Sequence, residues 1–396
     1  MIIVNIPLLD LKRQYKLVKE MVSINIEKVL ESAHYINGPL NKKFEEQIKK
    51  YVNVKHAIGV ANGTDALVLA LEALGIGAGD EVITTTWTFY ATAEAIAYVG
   101  ATPVFIDVDL DDFNILVDKI EEKITNRTKA IIAVHIFGNP CNMGEINKVA
   151  KTNNLYVIED AAQAIGSSYK GKMIGSMSDI TTFSFFPTKN LGAYGDGGMI
   201  TTNSDNLATV IRALKTHGSG IYGKKAYDYL NGISVVESAE SEENQVYSAK
   251  KYFNYIVGHN SRLDELQAAV LLSKLPYLDI WNKKRNSIAD KYNKSLIGVK
   301  QPGINSDSFS CYHLYVLQCE YRDDLATYLK ENGISTGVYY PVPMHLQEVF
   351  KHLGYKKGDL PNSEYLSKRT IAIPAHEMLK PEEVDYIIEK INSFKE

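Results

Sequence analysis

Residues 56–106 read HAIGVANGTDALVLALEALGIGAGDEVITTTWTFYATAEAIAYVGATPVFI, and this stretch decides the fold. Short apolar, β-branched segments alternate in it with longer amphipathic ones. The pattern predicts strands at His56–Val60, Glu81–Thr84 and Thr102–Ile106 and helices at Thr64–Leu74 and Ala91–Val99. Strands that alternate with helices at this spacing favour right-handed βαβ units, and therefore a parallel sheet covered by helices on both faces.

The alternation continues along the chain until about residue 200. It predicts strands at Lys129–His135, Leu155–Glu159, Ile180–Phe185 and Gly198–Thr202, with a helix at Met143–Asn153. Short strands and helices then mix towards the C-terminus. We therefore expect an N-terminal helical arm (1–35), a large α/β domain (36–275) and a small α+β domain (276–396). Within the large domain, residues 218–258 resemble an insertion, and the polar segment 237–244 is predicted to be a surface loop.

Composition excludes several classes of protein. The 396 residues are 45% hydrophobic and 23% charged, which is typical of a soluble enzyme with two domains. The net charge of −4 offers no overall attraction to nucleic acid or to an anionic membrane, and no apolar run is long enough to span a bilayer. The three cysteines form no paired motif, and the first residues lack the features of a secretory signal, so we expect reduced thiols and a cytoplasmic protein.

Two turns that follow predicted strands carry polar groups suited to a cofactor. Gly63 and Thr64 begin a helix, where backbone N–H groups and the Thr64 hydroxyl form a site for phosphate; an ordinary helix N-cap is the alternative. Asp160 follows an apolar strand. Because ligands bind at the carboxyl ends of parallel strands, its carboxylate is placed to meet a cation; a loop-capping role is the alternative.

The segment 183–198, FSFFPTKNLGAYGDGG, places Lys189 between an apolar strand and a glycine-rich turn. Partial desolvation lowers the pKa of such an amine and favours the neutral nucleophile that forms a Schiff base with an aldehyde. Trp87 and Phe89 offer a ring face to a planar heterocycle, or else belong to the core. Together these groups predict pyridoxal phosphate as the cofactor, and no metal site is predicted.

The motifs that carry this chemistry resemble those of the DegT/DnrJ/StrS-type sugar aminotransferases, a branch of the fold type I pyridoxal phosphate enzymes. They are NGTDAL (62–67), EDAAQAIG (159–166), FPTKNLGAYGDGG (186–198) and GHNSRLD (258–264). The resemblance covers nearly the whole chain. It implies an α/β, aspartate aminotransferase-like large domain with a mostly parallel sheet flanked by helices, a smaller α+β C-terminal domain, and an obligate homodimer with shared active sites.

The resemblance also implies roles for individual residues. Lys189 would form the Schiff base, and Asp160 would pair with the pyridinium nitrogen of the cofactor. Gln163 would lie near the phenolic oxygen of the cofactor, and Phe89 would stack on its ring, with Trp87 as the weaker candidate. The expected phosphate-binding residues are Gly63, Thr64 and Ser184, joined by Asn260 of the neighbouring subunit.

The expected reaction moves an amino group from L-glutamate to a nucleotide-linked keto sugar. The segment GVYYPVPMHLQ (337–347) resembles enzymes that aminate carbon 3, which favours a dTDP-linked 3-keto-6-deoxyhexose and the biosynthesis of an amino deoxysugar. A UDP-linked 3-keto sugar and a 4-keto sugar are the alternatives. Two candidate sugar contacts depart from the family pattern, since Phe186 stands where relatives often have Tyr and Tyr339 where they often have His. The other candidate contacts are Tyr312, His313 and His345.

Two further interpretations remain. Some relatives carry a histidine in place of the lysine and remove a hydroxyl group, but Lys189 argues against that chemistry. Other members of the group have been labelled regulatory proteins, so a non-catalytic binding module is the alternative of a different class. No helix-turn-helix signal or basic stripe supports nucleic-acid binding.

Overall fold

The computed structural model of the chain describes residues 5–233, 252–305 and 307–395. The helices are α1 (Leu11–Ser32), α2 (Pro39–Val52), α3 (Gly63–Ala73), α4 (Ala91–Tyr98), α5 (Met143–Thr152), α6 (Asp205–Leu214), α7 (Gly220–Leu230), α8 (Glu265–Lys274), α9 (Leu278–Ser295), α10 (Arg322–Glu331), α11 (Pro361–Arg369) and α12 (Pro381–Ser393). The strands are β1 (His56–Val60), β2 (Glu81–Thr85), β3 (Thr102–Ile106), β4 (Thr128–Val134), β5 (Tyr156–Asp160), β6 (Ser168–Tyr169), β7 (Lys172–Met173), β8 (Ile180–Ser184), β9 (Gly198–Thr202), β10 (Ser308–Phe309), β11 (Tyr315–Gln318) and β12 (Thr370–Ile373).

A seven-stranded sheet forms the centre of the molecule, in the order β1-β9-β8-β5-β4-β2-β3. Neighbouring strands from β8 to β3 are parallel, whereas β9 runs antiparallel to both β8 and β1. Six strands therefore point the same way, and their carboxyl ends lie along one edge of the sheet. The predicted mostly parallel sheet is confirmed, with β9 as the exception.

Helices cover both faces of this sheet because its strands are apolar on both sides. In β5, Ile158 faces the core on the side of α3, α4 and α6, whereas Val157 faces the core on the side of α2, α5 and α8. A strand buried on both faces reads as a continuous apolar run, which explains why the sequence identified these strands well. The bounds of β1, β3 and β9 are those predicted.

The C-terminal part of the chain builds its own core around the pair β11–β12. Helices α9, α10 and α12 pack there, and Ile6 from the N-terminal segment joins them. The helical period of residues 381–393 predicts a helix, and α12 has these bounds, whereas no local pattern predicts α11 or β12. The boundaries predicted at residues 35 and 275 stay predictions.

Part of the region expected to be an insertion is helical, and the insertion itself stays a prediction. Residues 220–230 form α7, which packs against α6, although their mixture of Gly, Tyr and Lys hides the helical period. The predicted polar loop 237–244 lies outside the described residues. Cys141, Cys311 and Cys319 are buried and are not joined in disulfide bonds, and no helix in the described parts of the chain has the length and apolarity needed to cross a membrane.

Candidate active site

A cavity of about 820 Å³ opens at the carboxyl edge of the central sheet. Its wall includes Ser184 at the end of β8 and Asp160 at the end of β5, together with Gly63 after β1 and Phe89 after β2. The parallel direction of these strands is what brings four distant segments together. The volume lies within the range of cavities that hold cofactors and small substrates.

Lys189 lies in the wall of this cavity, in the turn that follows β8. Burial lowers the pKa of its amine from 10.5 to about 8, although the nearby Asp160 carboxylate acts in the opposite direction. A larger fraction of neutral amine at physiological pH follows. The lysine thus has the property that attack on an aldehyde requires.

The low pKa gives a pH dependence that can be measured. At pH 7 about one amine in ten is neutral when the pKa is about 8, against about one in three thousand at the ordinary value of 10.5. The rate at which the cofactor-free protein captures pyridoxal phosphate covalently should rise about tenfold per pH unit below pH 8 and level off above it. Stopped-flow absorbance between pH 6.5 and 10 measures this, and a rise that continues to pH 10 would contradict the lowered pKa.

Asp160 is buried and its carboxylate is oriented by two hydrogen bonds. Thr92 Oγ1 donates to Oδ2 at 2.7 Å, and the backbone N–H of Ala162 donates to Oδ1 at 3.2 Å. Thr92 lies in turn 3.2 Å from Thr88, hydroxyl to hydroxyl, at the start of α4. The carboxylate is therefore held in one orientation, as expected for a group that meets a fixed cation.

Gln163 is fixed at both ends of its amide. Its Oε1 accepts from the backbone N–H of Phe137 at 2.7 Å, so its Nε2 is a donor, and this nitrogen donates to Tyr340 Oη at 3.0 Å. Burial raises the pKa of Tyr340, so the phenol stays neutral and keeps its own proton. Gln163 and Tyr340 thus form a rigid polar pair in the cavity wall.

The start of α3 and the end of β8 lie side by side in the cavity wall and form a cradle lined by Gly63, Thr64 and Ser184. Asn62 caps the helix by accepting from the backbone N–H of Asp65 at 2.8 Å, while the N–H groups of Gly63 and Thr64 lie in the first turn, where helices have no internal partners. A Cβ atom added to Gly63 would come within 2.9 Å of Ser184 Cβ, so the glycine leaves room that a side chain would fill. These donors fit the phosphate of the expected cofactor.

Replacing Gly63 by alanine should weaken cofactor binding. The added methyl group would push Ser184 out of the cradle, and crowding of this kind typically costs about 1–3 kcal/mol, which corresponds to an increase of about 5- to 150-fold in the Kd for pyridoxal phosphate. Equilibrium dialysis measures it. Gly77→Ala is the matched control, because the nearest atom to its added Cβ is at 3.5 Å and Gly77 lies outside the cavity wall. Equal Kd values for the two variants would contradict this role of Gly63.

Four of the predicted ring and sugar contacts also lie in the cavity wall: Phe89, Phe186, His313 and Tyr339. The side chain of Phe89 is 57% exposed, so its ring is open to a ligand. Trp87, the weaker candidate for stacking, is fully buried between Phe113 and Phe137 and donates from Nε1 to the Tyr340 carbonyl. Its ring belongs to the core and is absent from the cavity wall.

The structure does not bring the three remaining predicted residues to this cavity. Tyr312 packs its ring beside Tyr315 in the C-terminal core. His345 is buried, and its ring nitrogens lie 2.8 Å from Thr86 Oγ1 and 3.2 Å from Glu364 Oε1, so both are occupied within the protein. Asn260 forms an isolated antiparallel β-bridge with Thr216 and is not part of the cavity wall of its own chain. Its expected contact with the site of a neighbouring subunit stays a prediction.

Several cavity-wall or supporting residues were missed by the sequence interpretation. Thr92 follows Trp87 and Phe89 closely in the sequence, and Tyr340 stands in the segment 337–347. The position of both residues beside these motifs is the sequence signal that could have identified them. Arg285, by contrast, lies in the middle of α9 and reads as one of many surface cations. It is buried, it lines the cavity, and its Nη2 lies 2.7 Å from Glu377 Oε2.

The sequence is similar to known proteins over almost its whole length. The family model described as "DegT/DnrJ/EryC1/StrS aminotransferase family" matches residues 17–392. A "Pleiotropic regulatory protein" of Geobacillus stearothermophilus is 44% identical over 98% of both chains. A dTDP-3-amino-3,6-dideoxy-alpha-D-galactopyranose transaminase of Aneurinibacillus thermoaerophilus is 40% identical over 98% of this chain and 99% of its own, and a UDP-N-acetyl-3-dehydro-alpha-D-glucosamine 3-aminotransferase of Acidithiobacillus ferrooxidans is 39% identical over 96% and 95%.

The fold is likewise similar to that of solved structures. The crystal structure of DesV from S. venezuelae, described as a complex with a ketimine intermediate, superposes with a TM-score of 0.89 at 35% identity and covers 98% of both chains. The expected fold type I architecture is thereby confirmed.

Proposed function

Because the chain belongs to the DegT/DnrJ/EryC1/StrS aminotransferase family, we propose that it transfers the amino group of L-glutamate to carbon 3 of a dTDP-linked 3-keto-6-deoxyhexose. One observation carries this function: Lys189, in the turn after β8, and Asp160, at the end of β5, line the same cavity. A lysine with a lowered pKa opposite a buried carboxylate is the pair that amino transfer with pyridoxal phosphate needs. The relatives that aminate carbon 3 of dTDP and UDP sugars support the choice of carbon.

The cofactor is pyridoxal phosphate, which supplies an aldehyde and an electron-withdrawing ring that stabilises negative charge on the reacting carbon. Gly63, Thr64 and Ser184 would hold its phosphate. The Asp160 carboxylate would face the ring nitrogen, and the Lys189 amine would bind the aldehyde and, once released from it, carry a proton as base and acid. Gln163 would donate towards the ring oxygen, and Phe89 would offer the stacking surface.

A homodimer with shared sites completes the proposal. On α1, Val18 and Val22 pack inwards against Val270 and Trp281, whereas other apolar side chains of the same helix are exposed. These are Leu17, Met21, Ile24 and Leu30. A second copy of the chain would cover them and would bring Asn260 to the phosphate of the neighbouring site.

The role of Asn260 is open to a direct test. Asn260→Ala should raise the Kd for pyridoxal phosphate by about tenfold, because one hydrogen bond to a charged group is lost from each site. Dialysis of the purified dimer measures this. Unchanged retention of the cofactor would remove Asn260 from the site.

The nucleotide and the sugar are tested by a panel of substrates. The protein is incubated with L-glutamate and dTDP- or UDP-linked 3-keto and 4-keto sugars, and the 2-oxoglutarate formed is measured. We expect the highest kcat/KM with the dTDP-linked 3-keto-6-deoxyhexose. A preference for a UDP-linked or a 4-keto sugar would replace that substrate but keep the reaction class.

The non-catalytic alternative is worth testing because one relative carries the name of a regulatory protein. Cofactor binding distinguishes it from the catalytic function. A catalytic member binds pyridoxal phosphate and shows its visible absorption band, which glutamate then bleaches. A colourless protein that takes up no cofactor would favour a binding module.

A further inference from the structure

His313, in the wall of the cavity, is fixed through one of its ring nitrogens. Its Nδ1 lies 3.1 Å from Oδ1 of Asn190, the residue that follows Lys189. Its backbone carbonyl also accepts from Nη1 of the buried Arg285 at 3.2 Å. Both the ring and the backbone of His313 are therefore held in place before any substrate enters.

The orientation of the Asn190 amide follows from its other partners. Its Nδ2 donates to the carbonyl of Cys311 and to Oδ1 of Asn282, both at 2.9 Å. A carbonyl oxygen can only accept, so the nitrogen of the amide faces Cys311 and the oxygen faces His313. Asn282 agrees with this assignment, because its own Nδ2 donates to the carbonyl of Ile165 at 3.2 Å and leaves its Oδ1 to accept.

The protonation of the His313 ring is thereby determined. Asn190 Oδ1 only accepts, so Nδ1 of His313 carries a proton. Burial, with the positive charges of Lys189 and Arg285, holds the pKa of His313 well below its ordinary value of 6.5, so the ring is neutral. A neutral imidazole with its proton on Nδ1 has a lone pair on Nε2, and this nitrogen accepts hydrogen bonds but cannot donate one.

We propose, on the basis of the function above, that Asn190 holds His313 in this tautomer so that Nε2 accepts a hydrogen bond from a hydroxyl group of the keto sugar next to the reacting carbon. Glutamate does not suit this acceptor, because its carboxylates repel a lone pair and its amine is the group that reacts. A sugar hydroxyl is a donor. His313 contacts the substrate, and Asn190 is a positioning residue.

This arrangement predicts which sugars the site accepts. A site built around a fixed acceptor discriminates against a sugar that lacks the hydroxyl, because the lone pair then stays buried without a partner. We expect kcat/KM for the analogue deoxygenated at the contacted position to fall about 10- to 100-fold, with the 2-deoxy and 4-deoxy sugars identifying that position.

Two substitutions at His313 separate the acceptor from the structural contact. His313→Asn keeps an amide donor near the Nδ1 position, where Asn190 accepts, but has no atom at the Nε2 position. His313→Gln reaches the Nε2 position instead. His313→Asn should lower kcat/KM for the keto sugar about 10- to 100-fold, leave the single-turnover reaction with glutamate within about threefold, and lose discrimination against the deoxy sugar. His313→Gln should recover part of the loss.

A second measurement is independent of turnover. In the cofactor-free protein labelled with ¹⁵N-histidine, the NMR signals of His313, assigned by their absence in His313→Asn, should show a protonated Nδ1 and an unprotonated Nε2 at pH 7.5. Asn190→Ala should shift this ring towards the Nε2-protonated tautomer. The tautomer in the wild-type protein stays measurable even if the variants fold poorly.

The outcomes distinguish this inference from the proposed function. If no keto sugar is aminated, the proposed function fails whatever the tautomer. If amination proceeds but the deoxy sugars react as well as their parent, or Nε2 carries the proton in the wild-type protein, the inference is overturned. If His313→Asn slows the reaction with glutamate as much as the reaction with the keto sugar, the inference is also overturned. Nε2 would then act in a step that both reactions share, such as proton transfer by Lys189.

Discussion

Replacing Lys189 by alanine should lower turnover at least about 10⁴-fold and remove the visible absorption band that covalent attachment gives to the cofactor. In the proposed mechanism, the variant loses both the amine that binds the aldehyde and the group that carries the proton. Because the side chain lies in the cavity wall, we expect the variant to fold. Absorbance after reconstitution and a coupled assay for 2-oxoglutarate measure the two effects.

Lys215 provides a control of the same chemical type. Burial lowers the pKa of its amine from 10.5 to about 8 as well, but it donates to the carbonyl of Gly59 and lies outside the cavity wall. Lys215→Met should cost stability while the visible band remains. If Lys189→Ala keeps its visible band and transaminates at more than about one hundredth of the wild-type rate, the assignment of the catalytic lysine is wrong.

Replacing Asp160 by asparagine should lower kcat/KM for glutamate by about 10²- to 10³-fold, which is typical for the loss of one fixed electrostatic group in an active site. The amide keeps the shape of the side chain but loses the charge that stabilises a protonated ring nitrogen. Cofactor binding should persist through the phosphate cradle. Single-turnover bleaching of the visible band by glutamate measures the rate directly.

Two further variants provide rates with which the rate loss of Asp160→Asn can be compared. Thr92→Val removes the 2.7 Å hydrogen bond to the Asp160 carboxylate and the hydroxyl contact with Thr88 but keeps the charge of Asp160, so a smaller loss of about 5- to 20-fold is expected. Asp179→Asn is the control at the opposite edge of the sheet, where Asp179 accepts from the backbone N–H of Val157 at 2.8 Å, and its kinetics should be unchanged. A rate for Asp160→Asn that matches the control would exclude the electrostatic role.

The elements of the central sheet were predictable because their signals are local. The runs at His56–Val60 and Gly198–Thr202 are apolar and bounded by turn residues, so both strands have the predicted bounds. Strand direction is not local: β9 is antiparallel because of its pairing with β1 and β8, and a five-residue segment does not encode that choice. Helix α7 was missed since glycine and tyrosine obscure its period.

For the active site, too, local motifs predict some residues, whereas contacts between distant segments decide the others. Lys189 and Asp160 stand in motifs that identify them from sequence, and the structure brings both to one cavity. Their supporting contacts come from distant segments: Thr92 bonds to Asp160 across 68 positions, and Tyr340 to Gln163 across 177. Tyr312 and His345 illustrate the opposite error, because a polar ring in a motif was interpreted as a sugar contact and the structure places it in the core.

The most direct test of the proposed reaction follows the nitrogen itself. The protein is incubated with ¹⁵N-labelled L-glutamate and the dTDP-linked 3-keto-6-deoxyhexose, and the product is examined by ¹H–¹⁵N correlation NMR. We predict that the label is bonded to carbon 3 of the sugar and that 2-oxoglutarate forms in equal amount. A label on carbon 4, or a sugar that carries no ¹⁵N while the protein holds its cofactor, would contradict the account.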